Sequence, residues 1–270
     1  MELSTLLQYK PYSTARTEKR ALYAGLLTEL TQFHREHCPE YGRLLDALGC
    51  PAHMDCTVES TPMLPVSLFK ELELRSIPEG EVFKTLTSSG TTGQRVSRIF
   101  LDGATSACQQ QALCQIMSDF LGERRLPFLV LDSRQVLRNR AMFSARGAGI
   151  LGFSIFGTRP CYALDEHMEL DLDGVRAFLE EHQGETIFLF GFTFIIWKHV
   201  VRALEERGER LDIPNGILVH GGGWKKLAGE AVSPGEFKAR VAAATGVERV
   251  SNYYGMAEQT GCIYMECPQG

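Results

Sequence analysis

The chain lacks any uninterrupted apolar run of the roughly eighteen residues that a membrane-crossing helix needs, and its N-terminus lacks the charged-then-apolar order of a secretion signal. No membrane span is expected, and a cytoplasmic location is. An excess of basic charge is missing too. With 28 Lys and Arg against 33 Asp and Glu, the formal net charge is −5, so binding of nucleic acid through phosphate neutralisation is not expected. The local clusters, Arg124 with Arg125 and then Arg134, Arg138, Arg140 and Arg146, read as solvated faces. There is no Cys-x-x-Cys, and the eight cysteines show no regular spacing, which favours free, mostly buried thiols in a reducing compartment. Cys262 and Cys267 have no second pair with which to complete a zinc site. Gly-x-Ser-x-Gly is absent as well, which argues against a serine hydrolase of the nucleophile-elbow type.

What is present begins at residues 85–95, Thr-Leu-Thr-Ser-Ser-Gly-Thr-Thr-Gly-Gln-Arg. Gly90 and Gly93 allow tight backbone turns that aim N–H groups at an anion, Ser88, Ser89, Thr91 and Thr92 add hydroxyl donors, and Arg95 adds charge. This is the composition of a loop that wraps phosphate. A polar turn between two strands is the plainer reading of the same residues. No Gly-Lys-Ser/Thr follows four residues after the first glycine, which disfavours a Walker-type P-loop.

Periodicity outlines an α/β fold. Residues 14–37 place Ala21, Leu22, Leu26, Leu30 and Phe33 on one helical face, and residues 102–121 carry a second stripe that includes Ile116, Met117 and Leu121. Strand-like runs at 82–86 and 97–101 flank the glycine loop as a hairpin would. Continuous apolar runs at 128–131, 187–190 and 217–219 alternate with helical stretches at 175–182, 194–206 and 236–244, the pattern of buried, mostly parallel strands flanked by helices. Ser233, Pro234 and Glu236 form a helix-start signature before the last of these.

Ligands of open α/β sheets gather beyond the carboxyl ends of the strands, and the candidate residues fall there. Phe192 follows one run, His220 with Gly221, Gly222, Gly223 and Trp224 follows the next, and Tyr253, Tyr254, Gly255, Met256 and Glu258 follow a third. Three successive glycines allow a planar base to lie against the backbone, with Phe192, Phe194 and Trp224 as pocket walls or, on the plainer reading, as core. The His-Gly-Gly-Gly-Trp segment is also similar to the oxyanion segment of some esterases, which fails on the missing nucleophile elbow.

Taken together, Ser88-Ser89-Gly90-Thr91-Thr92-Gly93 and Tyr253-Tyr254-Gly255-Met256-Ala257-Glu258 resemble the paired motifs of the adenylate-forming enzymes. The likeness is to the acyl-protein synthetase branch of LuxE type, with phenylacetate-CoA ligase as a cousin. It is supported by the stretches at 62–70, 97–102, 220–226 and 259–267 and runs from about residue 60 onward. The resemblance implies the large N-terminal domain of that superfamily, with residues 1–60 as a helical segment packed on an adenylating core at 61–270 and the C-terminal lid domain beyond Gly270. It implies ATP and Mg²⁺ as cofactors, phosphate contacts and catalytic roles for the 88–93 loop with Thr91 and Thr92, and a metal-binding, catalytic Glu258. Gly221, Gly222, Gly223, Tyr253, Tyr254 and Gly255 fall to the nucleotide, and Phe192, His220, Trp224 and Met256 to the acid. The implied reaction joins a carboxylic acid, fatty by the branch it resembles, to a thiol of CoA or of a protein, with a reductase or acyl carrier as partner. One departure stands out: Ala257 occupies a position where most of the superfamily has Thr or Ser, leaving the α-phosphate contact to Thr260 or a backbone amide. A non-catalytic nucleotide- or acyl-binding domain is the alternative.

Overall fold

The structure, a computed structural model, describes residues 3–10, 13–88, 95–137, 145–260 and 263–267. It divides into two units, Met1–Phe120 with Gly255–Ile263 and Leu121–Tyr254 with Tyr264–Gly270. The leading helical segment and the strand pair around residues 84–101 thus belong to one unit.

In the first unit, α1 (Arg16–His37) buries Leu26 but leaves Phe33 41% exposed, its ring stacked on His37 with centroids 4.4 Å apart. Pro39, which has no N–H to waste, opens α2 (Pro39–Ala47). The loop after α2 is tied back to α1: Cys56 N–H donates to Thr28 Oγ1 at 2.8 Å, and Arg35 donates to the Pro51 carbonyl at 3.2 Å. Beyond α3 (Leu68–Glu71), strands β1 (Lys84–Thr87) and β2 (Arg98–Leu101) pair antiparallel with Thr87 opposite Arg98, which is the hairpin expected around the glycine loop. Asp102 accepts from Thr105 N–H at 2.6 Å at the start of α4 (Gly103–Leu121), whose Met117 is fully buried.

The second unit is built on six strands, β3 (Leu126–Ser133), β4 (Gly157–Leu164), β5 (Ile187–Phe192), β6 (Gly216–Gly221), β7 (Arg249–Tyr254) and β8 (Tyr264–Met265). Their order is β4-β3-β5-β6-β7-β8, and every neighbouring pair is parallel except β7 with β8. The apolar runs read from the sequence form β3, β5 and β6. The unforeseen β4 is an edge strand whose Thr158-Arg159-Pro160 stretch hides the strand pattern, since proline and charge are tolerated where one side needs no partner.

Helices cover both faces. On one, Phe153 of α5 (Ala145–Phe153) stacks on Phe190 at 4.4 Å, and Phe128 stacks on Phe188 at 4.9 Å. After α6 (Leu172–Glu181), the other face is covered by α7 (Thr193–Ile195), which continues through a π-helical stretch, Ile196–Val201, into α8 (Arg202–Arg207), and by α9 (Pro234–Thr245). Ile196 lies against Gly191, and Phe237 of α9 packs on His220. Ser233 caps α9 as expected, accepting from Glu236 N–H at 3.2 Å. The chain runs from β3 out to β4 and returns on β3's other side as β5, so the strand order reverses at β3, where α/β sheets open a crevice.

At the carboxyl end of β3, Asp132 is fully buried and Arg146 of α5 grips it with two guanidinium nitrogens, Nε to Oδ2 at 2.9 Å. Arg146 was expected on a solvated face. The buried carboxylate explains the difference, because an ionised group out of water must be paired. The sulfur of Met168 approaches the same guanidinium at 3.8 Å, and the Met168 carbonyl accepts from His199 Nδ1 at 2.8 Å, so one corner ties β3, α5, the loop after β4 and the π-helical stretch. We predict that Arg146→Ala lowers unfolding free energy by about 3 kcal/mol, because it strands a buried carboxylate. Arg159→Ala, which breaks an exposed pair with Glu181, should cost less than about 1 kcal/mol. Urea unfolding of both variants measures this, and equal losses would refute the account of the corner.

Candidate active site

The carboxyl end of β6 is crowded by aromatic rings from both neighbouring strands. A Cβ at Gly221 would clash with Cε1 of the Tyr253 ring of β7, and one at Gly222, where φ is +75°, would lie 2.9 Å from Phe192 Cδ1 of β5. Glycine is therefore required at both positions by packing and, at Gly222, by backbone conformation. Gly223 differs: among the described residues, and apart from its chain neighbours, no heavy atom lies within 4 Å of where its Cβ would be. The three glycines thus end in backbone with open space beside it.

The residues flanking this turn fall into two aromatic groups. Phe192 meets Phe190 edge-on at 5.9 Å and Tyr253 packs on Phe153 at 5.0 Å, all on the α5 face. Trp224 instead meets Trp197 edge-on at 5.3 Å and Phe237 at 6.2 Å, on the α9 face. Phe192 and Trp224 are therefore not brought together. Burial pushes the Tyr253 phenol up to about 12. Its neighbour Tyr254, pointing the other way along the strand, is 59% exposed.

His220 is 4% exposed and lies against the Phe237 ring at 4.6 Å. Its Nδ1 is 2.9 Å from Thr193 Oγ1, and the same hydroxyl lies 3.2 Å from the Gly221 carbonyl. Burial lowers its pKa to about 4; of the charged groups near it, Glu266 works against that shift and Lys238 adds to it. Glu266, to which sequence reasoning gave no role, accepts from Lys238 Nζ at 2.8 Å and from Asn252 N–H at 2.9 Å. Burial alone would raise its carboxyl, and these two bonds hold it below the usual range.

In the first unit, Ser88 extends the β1–β2 ladder by one rung. Its N–H donates to the Ser97 carbonyl at 3.2 Å, and its Oγ accepts from Ser97 N–H at 3.0 Å. An oxygen that accepts this bond can still donate its own hydrogen. Arg95, expected to add charge to the loop, pairs with Glu71 at 2.9 Å, with both side chains exposed. Ser89, Gly90, Thr91, Thr92 and Gly93 lie outside the described residues. The chain passes from the second unit to the first between Tyr254 and Gly255, so Gly255, Met256 and Glu258 belong with Ser88. A turn closed by Gln259 N–H on the Met256 carbonyl, at 3.2 Å, holds the half-buried Glu258. Among the described residues, no three His, Cys, Asp or Glu side chains form a metal-binding group.

The profile of the acyl-protein synthetase family, LuxE, matches residues 2–270. The chain belongs to that family. Among solved structures, it is similar to a 2-hydroxyisobutyryl-CoA ligase in the postadenylation state, bound to an adenylate, at 16% identity and TM-score 0.59, covering 94% of this chain and 54% of the ligase. The same ligase in its thioesterification state, with adenylate and CoA, matches at 18% identity and TM-score 0.58, covering 92% and 53%. This LuxE-family chain thus shares the ligase's fold and spans about half its length. No curated protein matches it.

Two outcomes follow for this LuxE-family chain. His220 stays neutral in the folded chain down to about pH 4, whereas in the unfolded chain it takes up a proton near its ordinary value of about 6.5. The unfolded state binds more protons between those values. The contribution of His220 to stability is therefore complete above about pH 6.5 and is lost as pH falls towards 4, by about 3 kcal/mol in total. Urea unfolding against pH should show this slope in the parent chain and not in His220→Gln. Separately, Gly222→Ala should lower Tm by several degrees, of the order expected for about 2 kcal/mol of strain and crowding, while Gly223→Ala leaves it unchanged; calorimetry distinguishes them.

Proposed function

We propose that this chain binds ATP and activates a carboxylic acid as its adenylate, for transfer to a thiol. The observation that carries the reading is the turn at the end of β6, in which packing forces glycine at 221 and 222 and leaves open room beside the backbone of Gly223. A flat base fits against such a backbone and would be excluded by a side chain. Exposed Tyr254, one strand away, offers a second flat surface.

The 88–93 loop supplies the phosphate contacts on this reading, held at its base by the Ser88–Ser97 rung. Donors that need not reorganise when charge develops are the ones that stabilise a transition state. Glu258 suits Mg²⁺, which takes one or two carboxylates and leaves the rest of its coordination sphere to phosphate oxygens and water; among the described residues it joins no group of three metal ligands. When bound, Mg²⁺ offsets the repulsion between an incoming carboxylate and the α-phosphate. With Ala257 unable to donate, Thr260 or a backbone amide completes the phosphate contacts. On this reading Phe192, packed against Gly222, falls to the acid, and Met256, in the other unit, is assigned to it as well.

The family's name, acyl-protein synthetase, supports a protein as acceptor; the reading takes a fatty acid as substrate, a protein thiol as acceptor and a reductase or acyl carrier as recipient. The likeness to a CoA ligase keeps CoA as the second candidate acceptor. Carboxylate-dependent exchange of labelled pyrophosphate into ATP, run with fatty and aryl acids, tests the reading. Glu258→Gln should reduce exchange about a hundredfold, the usual effect of losing one well-aimed charge. Lys198→Ala, on the exposed side of its helix, should leave exchange unchanged. Folded protein with no exchange for any acid, or equal losses in both variants, would redirect the reading to a binding or scaffolding role.

A further inference from the structure

The residue just past the end of β5 has no role in anything stated above. Thr193 is buried, with its hydroxyl within hydrogen-bond distance of two groups on β6, His220 Nδ1 at 2.9 Å and the Gly221 carbonyl at 3.2 Å. A hydroxyl has one hydrogen to give, and a carbonyl can only accept. Both contacts are satisfied in one arrangement alone: the Thr193 hydroxyl donates to Gly221, and His220 Nδ1–H donates to Thr193. That arrangement places a proton on Nδ1, which in the neutral imidazole is the Nδ1–H tautomer with a lone pair on Nε2.

It also fixes the glycine turn. The peptide between Gly221 and Gly222 is planar and trans, so a carbonyl held towards Thr193 sends the Gly222 N–H the opposite way. The positive φ of Gly222 begins at that peptide, and the open backbone of Gly223 follows it. We propose that Thr193 and His220 are positioning residues, which set the Gly221–Gly222 peptide plane and thereby aim the turn that receives the nucleotide; His220 on this view does not touch the acid.

The groups packed around the imidazole agree with a neutral ring. Phe237 of α9 covers its face, Thr193 occupies Nδ1, and the charged neighbours Lys238 of α9 and Glu266 beyond β8 are already paired with each other at 2.8 Å. A proton on Nε2 would add charge to a buried site whose carboxylate is committed elsewhere.

The nucleotide part of this inference rests on the adenylating role, and the test separates the two. Thr193→Val keeps the shape and removes both hydrogen bonds; Thr193→Ser restores them. In the parent chain labelled at histidine nitrogens, NMR should show His220 as the Nδ1–H tautomer, and Thr193→Val should shift it towards Nε2–H, with Thr193→Ser returning it. Binding of Mg²⁺-ATP by titration calorimetry should weaken about tenfold in Thr193→Val, the worth of one good hydrogen bond, and recover to within about threefold in Thr193→Ser. An Nε2–H tautomer in the parent chain, or unchanged ATP binding in Thr193→Val, would overturn the proposal. If the parent chain bound no ATP, the adenylating role would fail, and the tautomer in the parent and Thr193→Ser chains would still decide the positioning claim. A Thr193→Val chain that does not fold leaves the same two measurements in force.

Discussion

The approach of the Tyr253 ring to the Gly221 backbone is the constraint on which the carboxyl edge of the second unit depends. Tyr253 cannot retreat, because Phe153 and Phe190 hold it from the α5 side. Phe192 presses on Gly222 from the other neighbouring strand in the same way. The end of β6 is thus clamped between rings belonging to β5 and β7, and interiors packed at this density pass a displacement on rather than absorb it. The turn owes its shape to its neighbours more than to any turn preference of its own residues.

Polar groups finish what the rings begin. β8 is two residues long, so its ladder with β7 ends after Tyr253 and Tyr254 find their partners. The Glu266 carboxylate replaces the next rung, accepting from Asn252 N–H while its own N–H donates to the Asn252 carbonyl at 2.8 Å. Lys238 then binds the carboxylate to α9. The carboxylate thus extends the pairing of β7 by one residue past the end of β8. β7 is held by this rung on one side and by β6 on the other, which keeps the Tyr253 clamp in place.

Elements with a strong local signal were legible in the sequence: the runs at 128–131, 187–190 and 217–219 became β3, β5 and β6, and Ser233 with Pro234 marked α9 within a residue. β4 was not, because edge position lets Arg159 and Pro160 interrupt it. Of the site, the sequence showed which residues are unusual but not how they are used. The Asp132–Arg146 and Thr193–His220 pairs join residues 14 and 27 apart in the chain, and nothing in their local sequence distinguishes them from surface arginine and core histidine. The pairing of Trp224 with Trp197, rather than with Phe192, is likewise set by which face of the sheet α9 covers.

The three glycines show the limit most clearly, because a motif of identical residues conceals unequal reasons. Gly221 answers to Tyr253, and Gly222 to Phe192 and to its own φ; either would be glycine in a chain that bound nothing. Packing gives no reason for the third. Among the described residues, a Cβ at Gly223 would meet nothing within 4 Å beyond its chain neighbours, so an alanine methyl there would have no steric cost. A glycine kept where the fold does not need one also costs conformational entropy in the unfolded chain. A ligand lying against this edge would therefore meet the triplet at Gly223, where the backbone is open, and not at Gly221 or Gly222, which the rings cover.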